Sequence, residues 1–208
     1  MALSTYGQLK SAVAAWLERG DLTDRVPDFI TLAESRLNRV LRMRALETEE
    51  ALSVAQGSRL VTLPSGYREA VALWLLSVQG RSALRFVDAA HLEASTTPGT
   101  PRYWTLNSTG IALDRPADQA YGLTLRMLGR VGLSDAAPTN AILTDYPDLY
   151  LFGALVEAAP YLRDADLLAL YSARFEAALM ETRAKEARSR AISTLAVEPG
   201  LGLIGAGA

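Results

Sequence analysis

His91 is the single histidine of the chain, and there is no cysteine. A zinc site or a Ser–His–Asp machine needs several such groups converging on one point, so both lack their material. His91 reads as a surface or packing residue on a short helix around Asp88 to Ala94. Three carboxylates, Asp145, Asp148 and Glu157, lie close in sequence, and a pair of them could serve acid–base chemistry. The plainer account places Asp145 and Asp148 at a helix N-terminus, where a negative charge is stabilised by about 0.3–1 kcal/mol. Neither GxxxxGK[ST] nor a strand-linked GxGxxG occurs. GLGLIGAGA near the end resembles a glycine-rich phosphate loop only superficially, because no helix follows it. No catalytic, cofactor-binding or metal residue is assigned, no cofactor is expected, and the chain does not read as an enzyme.

Arginine is the more telling residue. Lysine occurs only at positions 10 and 185, so nearly every basic side chain is a guanidinium. Such groups suit bidentate pairing at interfaces or phosphate contact, although codon bias and solvated helix faces are the plainer account. A formal net charge of −2 gives no overall basic footprint. Arg36, Arg39 and Arg42 form the basic face of one helix-like segment.

The elements that would position these groups follow from periodicity. Tyr6, Leu9, Val13, Trp16 and Leu17 make an apolar stripe on a helix from about Thr5 to Arg19. Thr5 and Gln8 fit a capping box, and Gly20 suits the C-terminal cap. A second helix starts near Val26 or Pro27 and buries Phe29, Ile30, Ala33, Leu37, Val40 and Leu41. After about Leu46 the period changes. Short β-rich segments fall near 50–55, 59–63, 70–78, 102–107, 110–115 and 120–131. Tyr121, Leu123, Leu125 and Met127 alternate with Gly122, Thr124, Arg126 and Leu128, as in a half-buried strand. Asn107 to Gly110 reads as a hairpin loop. Helical periodicity returns near Asp145 and runs to about Ile192, with a turn near Arg163 and Asp164. The last helix has a core stripe of Leu167, Leu170, Tyr171, Arg174, Phe175, Ala178 and Leu179.

The expected fold class is α+β: a helical bundle from the N- and C-terminal helices with an inserted small antiparallel β region. The divisions are 1–45 (N-terminal helices), 46–140 (β-rich insertion), 141–192 (C-terminal helices) and 193–208 (extended tail). The β region is expected to project from the bundle. TDYPDLYLFGALVEAAPYLRD, residues 144 to 164, is the most apolar run. Its uninterrupted part, Leu149 to Val156, is far shorter than the roughly 20 residues a spanning helix needs, so no membrane partner is expected. No basic segment followed by an apolar stretch opens the sequence, so no secretory signal is read. The tail carries Leu195, Val197, Leu201, Leu203 and Ile204 among glycines, a composition suited to ordering against another chain. The plainer alternative is a frayed end.

Three blocks together resemble the head–tail adaptor (connector) proteins of tailed bacteriophages and gene transfer agents. They are TYGQLKSAVAAWLERGDL, VPDFITLAESRLNRVLRMRALE and TDYPDLYLFGALVEAAPYLRD. The last is similar to the family's "PDLYLYGAL-EAAPYL" pattern. The resemblance implies a homo-oligomeric ring, commonly of twelve subunits, docked on the portal protein. That ring extends the channel for packaged double-stranded DNA and offers a platform for a tail or nozzle component. The implied location is the virion's head–tail interface, reached from the host cytoplasm during assembly. Under this reading Leu195, Val197, Leu201, Leu203 and Ile204 meet the portal or a neighbour. Tyr146, Tyr150 and Phe152 supply subunit-interface surface, as aromatic residues do at interface cores.

Two other functions compete. A nucleic-acid-binding module would use the Arg-rich helix faces and bind DNA with steep salt dependence. A carboxylate-dependent cell-wall glycan hydrolase would need two of Asp145, Asp148 and Glu157 as a working pair.

Overall fold

The computed structural model describes residues 3–78 and 80–195, with side chains to residue 189. The chain divides into two compact units. One comprises the residues up to Arg44 and those from Val131 onward; the other is Ala45–Arg130.

The first unit is helical. Helix α1 is Tyr6–Leu17. Thr5 caps it, its Oγ1 accepting the Gln8 N–H at 3.3 Å. The reciprocal half of the expected box slips by one residue: Gln8 Oε1 accepts from the Ser4 N–H at 2.9 Å. Glu18 ends α1 in the left-handed region at φ 50°. Gly20, expected as that cap, instead opens a 3-10 turn over Gly20–Arg25. Helix α2, Val26–Val40, carries Pro27 in its first turn, where a missing N–H costs nothing. The short α3, Ala141–Asp145, is capped by Asn140.

Helix α4, Pro147–Leu162, is the axis of this unit and packs against α1, α2, α3 and α5. Nine of its residues are buried, on more than one face, because helices surround it. Gly153 permits the close approach: a Cβ there would stand 3.2 Å from the Ala33 Cβ and 3.4 Å from the Phe175 ring. Pro160 is tolerated in the last turn, and the left-handed Arg163 then closes the helix. Asp164 starts the next one, its Oδ1 accepting the Leu167 N–H at 2.9 Å. Helix α5 is Ala165–Leu195, longer than the expected end at Ile192. Tyr171, Phe175, Ala178, Leu179 and Thr182 form its buried stripe. Leu170, expected in that stripe, is half-exposed.

Residues 131–140, expected within the β region, belong to the helical unit as a strap without regular structure. Side chains hold it. Asn38 bonds both backbone groups of Val131, Glu34 accepts the Leu133 N–H at 2.7 Å, and Lys10 pairs with Asp135 at 2.9 Å. The Tyr6 N–H donates to the Pro138 carbonyl at 2.7 Å.

The second unit is a nearly closed, barrel-like sheet of seven strands, larger than the small β region expected. The strands are β1 Glu47–Val54, β2 Leu60–Val61, β3 Tyr67–Ser77, β4 Gly80–Phe86, β5 Tyr103–Asn107, β6 Gly110–Leu113 and β7 Tyr121–Gly129. Their order is β1-β7-β3-β4-β5-β6-β2, and the two ends, β1 and β2, lie against each other. Every pairing is antiparallel except β4 with β5, which are parallel over only two residue pairs. Leu73, Leu75, Leu84, Trp104, Ile111, Leu113, Leu123 and Leu125 fill the interior. On β7 the expected alternation holds, with Tyr121, Leu123, Leu125 and Met127 buried; Leu128 is buried as well. Asn107 shapes the β5–β6 hairpin, its Oδ1 accepting the Thr109 and Gly110 N–H groups. Strand β4 has no counterpart among the expected segments. The expected helix at 88–94 is a turn, in which the His91 N–H donates to the Asp88 carbonyl at 2.9 Å.

Asp114 is the buried charge of this unit. It accepts from the Arg102 and Tyr103 N–H groups at 3.0 and 3.2 Å and from Arg115 Nε at 2.9 Å. Burial alone would raise its pKa, but these donors outweigh burial and hold it below the ordinary carboxylate value.

Candidate assembly surfaces

Glu157 and Asp148 do not form a working carboxylate pair. Glu157 is committed to Arg36, whose Nη2 lies 2.6 Å from its Oε1. Asp148 precedes Glu157 by nine residues on α4, about 13 Å along the axis at 1.5 Å per residue. Paired glycosidase carboxylates stand roughly 5–9.5 Å apart. Asp145 and Asp148 are exposed and border a shallow recess with Tyr146, Glu181, Thr182 and Lys185. His91 is exposed beside Asp88, 4.0 Å from its carboxylate. Among the described residues, no three His, Cys, Asp or Glu side chains cluster to hold a metal ion, and no helix is long and apolar enough to cross a membrane.

Most of the arginines with resolved partners serve internal pairing. Arg81 is bidentate to Glu49 at 3.0 and 3.1 Å and stacks 3.8 Å from the Trp74 ring centroid. Arg126 pairs with Glu47 across β7 and β1. Arg36, counted with the basic face of α2, turns inward to Glu157 and lies over the Phe175 ring. Arg39 is exposed on α2. Arg42 lies past the end of that helix and lines a recess of about 190 Å³ with Arg183 and Glu186. The three therefore do not form one continuous face. Helical spacing alone could not reveal this, because α2 stops at Val40.

The aromatic candidates also separate. Tyr150 is fully buried within its own subunit, which corrects its assignment to a subunit interface. Its hydroxyl accepts from Asn140 Nδ2 at 2.6 Å and bonds Glu34. Burial raises the pKa of Tyr150 and pushes that of Glu34 up to about 7. Tyr146 is half-buried, its ring 5.0 Å from Lys185 Nζ. Phe152 is half-buried edge-on to Trp16, with centroids 5.7 Å apart. Trp16, expected on the buried stripe of α1, is 51% exposed and also meets Tyr171. Trp16, Phe152 and Tyr171 form a partly open aromatic patch on α1, α4 and α5. A second patch pairs Phe29 with the exposed Tyr161 at 5.6 Å. Half-exposed aromatic rings on rigid helices are what protein interfaces use.

Leu195 ends the described backbone of α5; Val197, Leu201, Leu203 and Ile204 lie outside the described residues. The family model for the SU10 adaptor protein matches residues 4–198, and no curated protein matches the chain.

Proposed function

Because the chain belongs to the SU10 adaptor protein family, a family of phage head–tail adaptors, we propose that it is a ring-forming head completion protein of the virion. In this reading twelve copies close a ring on the portal, extend the channel for packaged double-stranded DNA, and present the platform for the tail or nozzle component. The role is structural, without turnover.

The observation that carries the proposal is the family match across both units, residues 4–198. The open aromatic patch of Trp16 and Phe152 supports it, because ring neighbours need apolar anchors held on rigid elements. Tyr146 lies on the same helical unit and is proposed as a further neighbour contact. Arg39 and Arg42 are proposed to face phosphate in the channel. The tail residues Leu195, Val197, Leu201, Leu203 and Ile204 are proposed to dock on the portal or the adjacent subunit. Internal ion pairing of Arg36, Arg81 and Arg126 argues against a free-standing DNA-binding module.

The test is electron microscopy of the purified protein mixed with portal rings. Coaxial rings support the reading; a protein that never associates with portals overturns it. Deleting residues 196–208 should leave circular dichroism unchanged and weaken co-sedimentation with portals. Undiminished docking would remove the tail from the interface.

A further inference from the structure

Among the described residues, helix α5 buries one side within its own subunit. Tyr171, Phe175, Ala178, Leu179 and Thr182 are buried. On the opposite side Leu170, Ala173, Ala177, Met180, Ala184 and Ala187 recur at spacings of three and four, and all are exposed. At 100° per residue this stripe is centred about 180° from the buried one. Leu170 is 51% and Met180 71% exposed, so the stripe has large apolar side chains at two levels with alanines between and beyond them. A seam of alternating threes and fours is the contact pattern of a two-helix coiled coil.

The flanking charges choose the partner. Arg174, Glu181 and Arg188 border one side of the stripe, and Glu176 and Arg183 border the other. Among the described residues, the side chains of Arg174, Glu176 and Glu181 have no hydrogen-bond or ion-pair partner. Arg183 gives one N–H to the Val40 carbonyl at 3.1 Å and keeps its remaining donors. We propose that this face of α5 pairs antiparallel with the same face of a second copy, about an axis between residues 178 and 179. Ala177 then meets Met180 of the partner subunit, and Ala173 meets Ala184 of the partner subunit. Arg174 faces Glu181 of the partner subunit, and Glu176 faces Arg183 of the partner subunit; the two-fold axis repeats both attractions. A parallel pair would instead set Glu176 against Glu181 and Arg183 against Arg188, repelling at each level.

The inference goes beyond the ring. Neighbours in a closed ring meet through two different faces, whereas this contact is isologous, so it belongs to the free subunit. From residue 170 to 187 the seam is about 27 Å long. The seam is short and four of its six side chains are alanines, so the dimer depends on concentration and can open when the ring forms.

Sedimentation velocity of the full chain over a concentration series should show a monomer–dimer equilibrium. Arg174→Glu and Glu181→Arg should each weaken it about tenfold, since both symmetry-related attractions become repulsions. Mixing the two variants, or combining them in one chain, should restore it. The chain has no cysteine, so single substitutions give clean crosslinks. Ala173→Cys mixed with Ala184→Cys should crosslink on oxidation, and Ala173→Cys alone should not. These positions are exposed, and an unchanged thermal melt verifies folding. A monomer at every concentration, association indifferent to the charge swaps, or crosslinking of Ala173→Cys with itself overturns the proposal. Portal-bound rings would be unaffected by any of these outcomes, so the ring reading stands or falls separately.

Discussion

Asn38 holds Val131 by both of its backbone groups: Nδ2 donates to the carbonyl at 2.8 Å, and Oδ1 accepts the N–H at 2.7 Å. One side chain thereby acts as a strand partner for a strap that has none. Asn38→Ala leaves both groups without their partner. The expected loss is about 1–3 kcal/mol, read by chemical denaturation, with hydrogen exchange at the Val131 amide becoming fast. Unchanged protection of that amide would show that other contacts fix the strap.

Glu34, four residues earlier on the same helix, predicts a dependence on pH. Burial lifts its folded pKa to about 7, against 4.5 for the free side chain. The folded state therefore binds more protons between these values, and stability falls as pH rises through that window. The contribution is complete below about pH 4.5 and lost as pH passes about 7. With the side chain only partly buried, its size is on the order of 1–3 kcal/mol. Glu34→Gln, which keeps an acceptor for Leu133 and a contact with Tyr150, should melt above the wild type at pH 8 and alongside it at pH 4.5. Parallel pH profiles of the two proteins would contradict this.

Leu155 is fully buried on α4. Leu155→Asp places an unpaired carboxylate at the axis of the helical unit and should cost several kcal/mol, about 3–5. A thermal melt within error of the wild type would contradict the assigned packing of α4.

Gly110 starts β6 at φ 147°, and a Cβ there would collide with the Val61 carbonyl oxygen. Gly110→Ala must displace β2 from the sheet and adopt a strained backbone, with an expected loss of about 2–4 kcal/mol. Gly57→Ala is the control, since its φ is also positive but nothing lies within 4 Å; it should lose less. Equal melts for both would mean that the close approach carries no cost.

The sequence disclosed what local chemistry decides. Thr5, Pro27 and Asn107 each act where their side chains dictate, and the turn expected near Arg163 and Asp164 falls there, closed by the left-handed Arg163. The alternation on β7 was legible because one face meets the core and the other bears Thr124 and Arg126. Strand β4 was missed because GRSALRF has no β-branched residue; its pairing with β3 supplies what propensity lacks. The strap at 131–140 was misplaced because its bonds come from side chains a hundred residues away. Among the assembly candidates, Tyr150 misled for a related reason: helix α4 is enclosed on several sides, so an aromatic ring on it need not reach the surface. Trp16 erred in the opposite direction. Periodicity finds a stripe but not how far around the helix its neighbours reach.

Helix α4, the axis of the helical unit, is also among the last parts of that unit to be made. During synthesis α1 and α2 leave the ribosome with Leu9, Val13, Phe29, Ile30 and Leu37 uncovered, because their partner begins only at Pro147. At about 5–20 residues per second, the roughly 107 residues from Val40 to Pro147 take about 5–20 s to appear. The strands of Ala45–Arg130 are complete within that interval. The nascent chain thus finishes its middle before its ends can close, and two apolar helices wait exposed beside it.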